Sequence, residues 1–336
     1  MAVNIKWLAK ELDLSISTIS RALQDSYMVS AETKQRVWEL AKKANYQPNP
    51  HASSLRRQKS RTIAVVVPEI SNNFFSLAID GIDEVIQKNN YHTLIYLTHD
   101  SLEREISIVH HLQNGRVDGV IMSVSSETAD PSDHLTELKN TNIPIVYFDR
   151  VCNDPDAVRV TTDDYESGYK ATEHLIENGC KKIAYLQISK TLSIGQKRLN
   201  GYKDALEAHK IPYNEKLLVS GTRVADEDYK LIKKMLSAKN RPDGVFASVE
   251  SLAITTYNVC RELNLSIPED LKVIGFSNLA TAPLLSPSLT TVTQPASSIG
   301  KEAAISLFQV LKKNKTYGPK NIVLASTLIP RDSTKS

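Results

Sequence analysis

Long apolar runs and abundant cysteine are both missing from this sequence. No hydrophobic stretch approaches the roughly 20 residues that a membrane-spanning helix requires, and residues 1–6 do not lead into the apolar segment of a signal peptide. Cys152, Cys180 and Cys260 are odd in number and far apart, so they predict neither a disulfide framework nor a metal site. We therefore expect a cytoplasmic protein with three reduced thiols and no membrane association.

The motifs of several enzyme classes are absent as well. The chain contains no Gly-x-Gly dinucleotide loop, no phosphate-binding P-loop and no Gly-x-Ser-x-Gly nucleophile elbow. His110 and His111 are adjacent and point to different helix faces, which makes them a poor metal pair. The neighbouring side chains of Asp163 and Asp164 diverge in the same way. The sequence therefore predicts a protein that is not an enzyme and needs no cofactor or metal.

Net charge is unevenly distributed along an otherwise ordinary composition. The 336 residues are 41% hydrophobic and 24% charged, which suits a globular protein of two or three compact units. Residues 1–61 carry 11 basic and 5 acidic side chains, whereas the remainder carries 30 basic and 33 acidic side chains. A basic head on a faintly acidic body indicates that the head binds a polyanion.

The first 46 residues have a purely helical pattern. Asn4 is placed to cap a helix ending at Leu12, Ser15 to cap a second one ending near Leu23, and Ser30 to begin a third. The short turn between the first two predicts a helix-turn-helix, whose second helix enters the DNA major groove. A small helical bundle with a polar second helix is the alternative.

The second of these helices carries side chains suited to DNA. Ser15, Thr18 and Ser20 are short donors placed for phosphate oxygens, and Arg21 has the forked geometry that reads guanine. Residues 47–61 then form a linker by composition, with prolines followed by a basic cluster that attracts phosphates. A short helix inside this linker forms only with a partner, because about two turns are marginal alone.

From Thr62 onward, short apolar strands alternate with helical patterns, which predicts parallel sheets covered on both faces. The strands are too many for one small sheet, so two α/β lobes with a ligand cleft between them are expected. The predicted strands are Thr62–Pro68, Tyr91–Thr98, Asp118–Val124, Ile143–Asp149, Val158–Thr162, Lys182–Gln187, Gly244–Ser248, Lys272–Ser277, Thr291–Gln294 and Ile322–Ile329. The predicted helices include Phe74–Asn89, Tyr165–Asn178, Leu199–His209 and Ser297–Lys313.

Several separated motifs together carry a family resemblance. The run Leu14–Leu23 (LSISTISRAL), the segment Asn45–Arg56 (NYQPNPHASSLR) and the strand Ile63–Pro68 (IAVVVP) resemble the LacI/GalR family of bacterial repressors. The similarity continues in register to about Arg331. It implies an N-terminal all-α helix-turn-helix head and an α/β core of two doubly wound, parallel-sheet lobes, like periplasmic binding proteins.

The resemblance also implies domain boundaries. We expect the head over 1–46, a linker with a hinge helix over 47–61, and an effector-binding and dimerisation core over 62–331. The chain is expected to cross between lobes near 161–162, 290–291 and 320–321. Lobe one is then about 62–161 plus 291–320, and lobe two is about 162–290 plus 321–331.

Within the head and linker, the resemblance implies roles residue by residue. Ile16 and Ser17 begin the recognition helix and, with Arg21, match the family's base-reading positions. Leu55 matches a leucine that wedges into the minor groove, and Ala52 lets the hinge helix approach its twin. The implied DNA-binding set is Ser15, Ile16, Ser17, Thr18, Ser20, Arg21, Tyr46, Asn49, Ala52, Leu55 and Arg56.

In the core, the resemblance implies an effector site between the lobes. Arg198 matches an effector-clamping arginine, whose fork suits paired hydroxyls or a carboxylate. Phe74 or Phe75 is placed to stack on a ligand ring, although both also suit anchoring of their helix. The implied effector-binding set is Asn72, Phe74, Phe75, Asp149, Asp163, Arg198, Glu250, Ser277 and Gln294.

Two departures from the family pattern affect this site. Val249-Glu250 stands where relatives commonly read Asn-Asp, and Ser277 replaces an aspartate that holds sugar hydroxyls. The pocket is therefore expected to lose an anion and an amide while keeping Arg198. This predicts a sugar, sugar acid or phosphosugar as the effector, with a charged or hydroxyl-poor ligand favoured over a plain hexose.

The resemblance implies a repressor whose operator affinity depends on a small-molecule effector, acting in the bacterial cytoplasm and on the nucleoid when bound to DNA. Relatives bind near-palindromic operators as dimers, so a homodimer is expected. A regulator controlled by a protein partner and a ligand-dependent activator stay open as alternatives. A transport solute-binding protein is disfavoured by the missing signal peptide and by the head.

Overall fold

The computed structural model describes residues 4–23, 25–46, 60–113, 116–128, 132–152, 154–187, 189, 192–222, 224–312 and 318–335. The chain divides into two compact units, a head before Arg61 and a core from Arg61 onward. Within the described ranges, no helix is both long enough and apolar enough to cross a membrane.

Three helices build the head, and each begins at a polar cap. The side chains of Asn4, Ser15 and Ser30 accept the backbone N–H three residues further on, at 2.9, 3.1 and 3.3 Å. These caps confirm the predicted starts. A small apolar core that includes Leu8 and Ile19 holds the helices together. The helices are α1 (Ile5–Leu12), α2 (Ile16–Leu23) and α3 (Ala31–Lys43).

The core consists of two six-stranded sheets with helices on their faces, which confirms the predicted fold class. The described strands are β1 (Thr62–Val67), β2 (His92–Leu97), β3 (Gly119–Met122), β4 (Ile145–Phe148), β5 (Val158–Thr162), β6 (Ile183–Gln187), β7 (Leu218–Ser220), β8 (Gly244–Ala247), β9 (Lys272–Phe276), β10 (Thr290–Thr293), β11 (Lys320–Leu324) and β12 (Thr327–Ile329). The first sheet has the order β11-β5-β4-β3-β1-β2, and the second has the order β12-β10-β9-β8-β6-β7. All neighbouring strands are parallel except β10 and β12.

Helices cover both faces of each sheet. In the described parts of the chain they are α4 (Asn73–Lys88), α5 (Leu102–Leu112), α6 (Asp133–Asn140), α7 (Asp164–Glu177), α8 (Ser193–Ala208), α9 (Ala225–Leu236), α10 (Glu250–Glu262) and α11 (Ala296–Leu311). The first lobe contains the first sheet with α4, α5, α6 and α11. The second lobe contains the second sheet with α7 to α10.

The strand pairing corrects two of the expected lobe boundaries. The second crossing follows Thr293 because β10 completes its pairing with β9 before the chain leaves the second lobe. The third crossing follows Leu324 because β11 pairs with β5 along its whole length. The expected single strand Ile322–Ile329 is therefore two strands in different sheets. The short strand β7 was not predicted, and α8 begins at Ser193 instead of Leu199.

The helices α4 and α11 approach each other closely at two glycines. A Cβ atom on Gly300 would collide with the carbonyl oxygen of Ala78, and one on Gly81 would collide with that of Ser297. This approach brings α11 down onto the apolar cluster around Phe75 and Phe148. The middle of α4 is thereby packed directly against α11.

Candidate functional site

The outward face of α2 carries the residues predicted to read DNA. Ile19 and Ala22 are buried against the head core, while Ser17 and Arg21 are exposed and Ile16 is 40% exposed. An amphipathic helix with this arrangement presents Arg21 to a partner without disturbing the head core. The placement agrees with a recognition helix, and contact with bases stays a prediction.

The remaining predicted DNA contacts divide into three groups. The Ser15 hydroxyl is already engaged, since it accepts the Thr18 N–H and hydrogen-bonds to the Ser17 hydroxyl at 2.7 Å. Ser20 is half-buried on α2. Tyr46 is also half-buried and packs against the head core, and burial raises the pKa of its phenol. The predicted contacts Asn49, Ala52, Leu55 and Arg56 lie outside the described residues.

In the core, the carboxyl ends of strands from both sheets face a cleft between the lobes. On the first-lobe side, the Asn72 carboxamide oxygen caps α4 by accepting the Phe74 N–H at 3.0 Å. Phe74 and Phe75 meet edge to face with centroids 5.3 Å apart, and Phe75 also packs against Phe148. Both rings are buried and line the cleft, so they anchor the helix and form one wall of the site.

Arg198 lies on the second-lobe side and is held in one orientation by three contacts. Its Nε donates to Asp164 Oδ1 at 2.8 Å, and its Nη1 donates to the Ser248 carbonyl oxygen at 2.8 Å. Its guanidinium carbon also lies 3.6 Å from the centroid of the Phe276 ring. The guanidinium has further N–H donors, and it lines the cavity. The arrangement presents a pre-oriented cationic fork to a ligand.

Buried carboxyl groups accompany this arginine. Burial raises the pKa of Asp149, and the nearby charges of Arg150 and Arg198 partly oppose that increase. Burial likewise raises the pKa of Asp164 to about 6, against the opposing effect of its ion pair with Arg198. Arg150 donates from Nη1 to Asp100 Oδ1 at 2.8 Å. The cleft therefore pairs cationic and anionic groups in a desolvated setting, which suits hydroxyl recognition.

Glu250 places a carboxylate beside Ser277, where the family's usual aspartate is absent. The Ser277 hydroxyl donates to Glu250 Oε2 at 2.7 Å, and Asn73 Nδ2 donates to Glu250 Oε1 at 2.9 Å. A glutamate on α10 thus supplies the carboxylate that position 277 lacks, because its longer side chain reaches the serine. Since Asn73 belongs to α4, this carboxylate also joins the two lobes across the cleft.

Four buried polar atoms of the cleft lack a hydrogen-bond partner of good geometry among the described residues. They are Arg150 Nε, Ser248 Oγ, Asn278 Oδ1 and Gln294 Nε2, and all four residues line the cavity. Gln294 and Ser248 still lie close enough to Asp149 and Tyr185 to oppose in part the rise that burial causes in the pKa of those two groups. Buried polar atoms are normally paired, so such a group favours a polar ligand. The cavity measures about 40 Å³, whereas ligand pockets usually measure about 300 Å³ or more. A sugar-sized ligand therefore requires movement of the lobes or of the lining side chains.

Asp163 does not join this site, which corrects its expected ligand role. Its Oδ1 accepts the Ser326 N–H at 2.7 Å and the Ser167 hydroxyl at 3.0 Å. Thr162 and Ser326 share a further hydrogen bond of 2.6 Å between their hydroxyls. Asp163 therefore ties the first and third crossings together at the hinge.

The structure unites the other predicted effector residues, and it adds some that the sequence did not suggest. Asn72, Phe74, Phe75, Asp149, Arg198, Glu250, Ser277 and Gln294 all line the one cavity. Arg150, Ser248 and Asn278 also line it and were not in the implied effector-binding set. Each of the three directly follows or ends a predicted strand, which is the sequence signal that points to them.

Comparisons with known proteins match both units. The model for bacterial regulatory proteins of the lacI family matches residues 4–49, and the periplasmic binding protein-like domain matches residues 172–334. The HTH-type transcriptional regulator RegA of Clostridium acetobutylicum is 34% identical over the full length of both chains. This relative is a transcriptional regulator.

Solved structures match the whole chain. The lac repressor dimer bound to operator and the anti-inducer ONPF has a TM-score of 0.87 and 21% identity, with both chains covered completely. The complex of the transcriptional regulator CelR with cellobiose has a TM-score of 0.74 and 25% identity, covering 99% of this chain and 100% of that one. The protein therefore belongs to the LacI family and is a DNA-binding transcriptional regulator.

Proposed function

We propose that this regulator is a repressor whose operator affinity is set by a sugar bound between the two lobes. The observation that carries the proposal is the set of unpaired polar atoms around the oriented Arg198 fork in a buried cleft. Burial of these polar groups without partners costs free energy, and a hydroxyl-rich ligand offsets that cost by completing their hydrogen bonds.

The charge balance of the cleft favours a neutral sugar. Asp149, Asp164 and Glu250 bring carboxyl groups to the region, and Arg198 is already paired with one of them. A sugar acid or phosphosugar would add another anion near these carboxylates, which costs free energy in a desolvated site. The relationship to CelR, which was solved with cellobiose, also supports a sugar effector.

For DNA, we propose that α2 lies in the major groove with Arg21 reading a base edge. Arg21 and Ser17 are exposed on the same helix whose opposite face is buried. The predicted hinge contacts, including the Leu55 wedge, are part of the same proposal. They lie outside the described residues. This function places the protein in the bacterial cytoplasm, where its DNA partner lies.

We further propose that the functional form is a homodimer that binds a near-palindromic operator. In the first lobe, Leu77 on α4 and both Leu94 and Ile95 on the edge strand β2 are exposed. In the second lobe, the Leu284 side chain is 80% exposed. Exposed apolar side chains beside an open sheet edge favour association, and a two-fold dimer covers both copies symmetrically.

The proposed control is a linkage between lobe arrangement and operator affinity. A sugar that prefers one lobe arrangement shifts the population toward it, and operator DNA shifts the same equilibrium in turn. The hydrogen bond between Asn73 and Glu250 exists only when the lobes are close, so it belongs to one of these arrangements.

The test is operator binding measured against a panel of sugars. Full-length protein is used to select binding sites from random duplex DNA, and fluorescence anisotropy then follows release or retention at the selected site. The panel contains glucose, ribose, cellobiose, glucuronate and glucose 6-phosphate. We expect a near-palindromic site and a response to a neutral sugar. Response to the anionic sugars alone would contradict the charge argument, and response to none would favour control by a protein partner.

A reporter gene under the selected site separates repression from activation. We expect deletion of the regulator to raise expression of the reporter. A fall in expression on deletion would instead identify a ligand-dependent activator.

A further inference from the structure

A second cavity lies at the mouth of the cleft, beside the one that holds Arg198. It measures about 360 Å³ and is lined from both lobes. We infer that this mouth compartment binds the second unit of a two-unit sugar whose first unit occupies the inner cavity. The inference rests on the proposed sugar effector and specifies its class as a disaccharide. The argument uses seven of the lining residues, namely Glu69, His99, Asp100, Arg150, Asp228, Ser251 and Thr255.

Arg150 is the wall between the two compartments. Its side chain is 7% exposed and lines both cavities. Its Nη1 pairs with Asp100, but its buried Nε has no hydrogen-bond partner among the described residues, and the nearest carboxylate oxygen, on Asp149, is 3.9 Å away. This buried donor becomes available to a ligand that spans the two compartments once the lining side chains move.

The opposite wall is also continuous between the compartments. Glu250 lines the inner cavity, and the next residue on α10, Ser251, lines the mouth compartment. Thr255 follows one turn later, where its hydroxyl donates to the Ser251 carbonyl oxygen at 2.9 Å and keeps an accepting lone pair. A ligand extended along α10 therefore meets polar groups in both compartments.

The charges of the mouth compartment select a neutral second unit. Glu69, Asp100 and Asp228 bring three carboxylates, against the one guanidinium of Arg150 and the imidazole of His99. The guanidinium is already paired with Asp100. A phosphate or carboxylate on the second unit would face an excess of negative charge, whereas sugar hydroxyls donate to carboxylates.

The size and position of the compartment fit this role. Its volume falls within the range of about 300–1,000 Å³ that is usual for small-molecule sites. Because Glu69 belongs to the first lobe and Asp228 to the second, a unit bound here contacts both lobes. Such a ligand has different contacts in different lobe arrangements, which is the condition for shifting their populations.

The experiment compares one-unit and two-unit sugars on the full-length protein by calorimetry. The probes are glucose with cellobiose and xylose with xylobiose, and operator binding is measured on the same preparations. We expect the two-unit sugar of at least one pair to bind at least about tenfold more tightly than its one-unit partner, as two or three added hydrogen bonds would give. Equal affinity within both pairs would overturn the inference.

A space-filling variant provides the second arm. Thr255→Trp fills the mouth compartment, so it should weaken the two-unit sugar about tenfold and change the one-unit sugar less than about twofold. Thr136→Trp is the control, because Thr136 lies on an exposed helix position and, like Thr255, donates to the carbonyl oxygen of the residue four before it. Equal weakening of both sugars by Thr255→Trp would overturn the inference.

Two further outcomes separate the inference from the proposed function. Absence of binding by any of the four sugars, with operator binding intact, rejects the disaccharide assignment and leaves the regulator function standing. Absence of operator binding in a folded protein rejects the proposed function itself.

Discussion

Arg198 stacks its guanidinium on the ring of Phe276 while its Nε donates to Asp164. A lysine at this position has no planar fork and cannot make both contacts. We expect Arg198→Lys to weaken effector binding by roughly 10- to 100-fold, as loss of charged hydrogen bonds of about 1.5–3 kcal/mol implies. Calorimetry with the responding sugar measures this change.

A surface arginine provides the control for that substitution. Arg241 pairs with Asp270 at 3.1 Å far from the cleft lining, so Arg241→Lys should leave effector affinity unchanged. Operator affinity without effector should be the same in both variants. Unaltered sugar binding by Arg198→Lys would show that the fork is structural.

Arg21→Ala tests the reading of DNA by α2. Loss of one bidentate base contact should cost about 1–3 kcal/mol at the selected operator and relax base preference at one position in each half-site. Arg36 on α3 is also exposed, and Arg36→Ala serves as the control for charge alone. Anisotropy on operator and scrambled duplexes gives the result. An equal loss on both duplexes would indicate a phosphate contact.

Glu250→Gln separates the charge of this side chain from its shape. Glutamine keeps one oxygen that accepts from Asn73, and its amide nitrogen can donate to the Ser277 hydroxyl, so the fold should be preserved. The negative charge next to Ser277 disappears. We expect affinity for a neutral sugar to fall about tenfold, because a hydrogen bond to a charged group is worth roughly 1.5–3 kcal/mol. Binding of glucuronate should improve.

The control for charge is at the other end of the same helix. Glu262 pairs with Lys233 at the surface, so Glu262→Gln should change neither the affinity for a neutral sugar nor the affinity for glucuronate. A Glu250→Gln protein with unchanged preference between glucose and glucuronate would contradict a role for this carboxylate in selection.

The buried carboxyl group of Glu105 should make the free energy of unfolding depend on pH. Burial opposes its ionisation, but hydrogen bonds from His134, the Ser125 N–H and Thr128 outweigh that effect and lower the pKa of the carboxyl. A lowered pKa means that the folded protein prefers the ionised form. The stabilisation is therefore present above the ordinary glutamate pKa, about 4.3, and is lost as the pH falls through the lowered value.

Glu105→Gln should remove this dependence. We expect the free energy of unfolding at pH 7 to fall by about 1–3 kcal/mol, because buried donors lose a charged acceptor. The difference from the native protein should narrow below about pH 4. Urea unfolding between pH 3 and 7 measures it, with Glu103→Gln on the exposed face of the same helix as the control. A difference in the free energy of unfolding that stays constant from pH 3 to 7 would contradict stabilisation by the ionised form of Glu105.

Gly300→Ala tests the close approach of α4 and α11. The added methyl group would collide with the Ala78 carbonyl oxygen, which cannot move without shifting the helix. Overpacking of this kind typically costs about 1–3 kcal/mol of stability. Gly318→Ala, where the same atom meets nothing within 4 Å, is the control. Equal melting temperatures for both variants would contradict the approach.

Local features of the fold were readable from the sequence, because they depend on neighbouring residues. The caps at Asn4, Ser15 and Ser30 and the alternation of apolar strands with helices are of this kind. The crossings after Thr293 and Leu324 depend on which sheet accepts a strand, and residues distant in sequence determine that.

Some residues of the site could also be predicted from the sequence, whereas others depend on contacts with distant parts of the chain. Arg198 was found from its motif and Gln294 from its place at the second crossing, and both line the cavity. Asp163 belongs to the hinge because Ser326, distant along the chain, donates to it. The carboxylate of Glu250 replaces an absent aspartate only because α10 brings it to Ser277, which no local pattern records.

The crossings have a consequence for how the chain matures on the ribosome. The first lobe needs α11 and β11, which are synthesised only after the whole second sheet up to β10. Until Gly300 reaches Ala78, the cluster around Phe75 and Phe148 has no cover on that face. A prematurely terminated chain therefore keeps its small helical head but exposes an apolar face of its first sheet. Proteolysis and aggregation act on such surfaces, and they remove a DNA-binding product that lacks a working sensor.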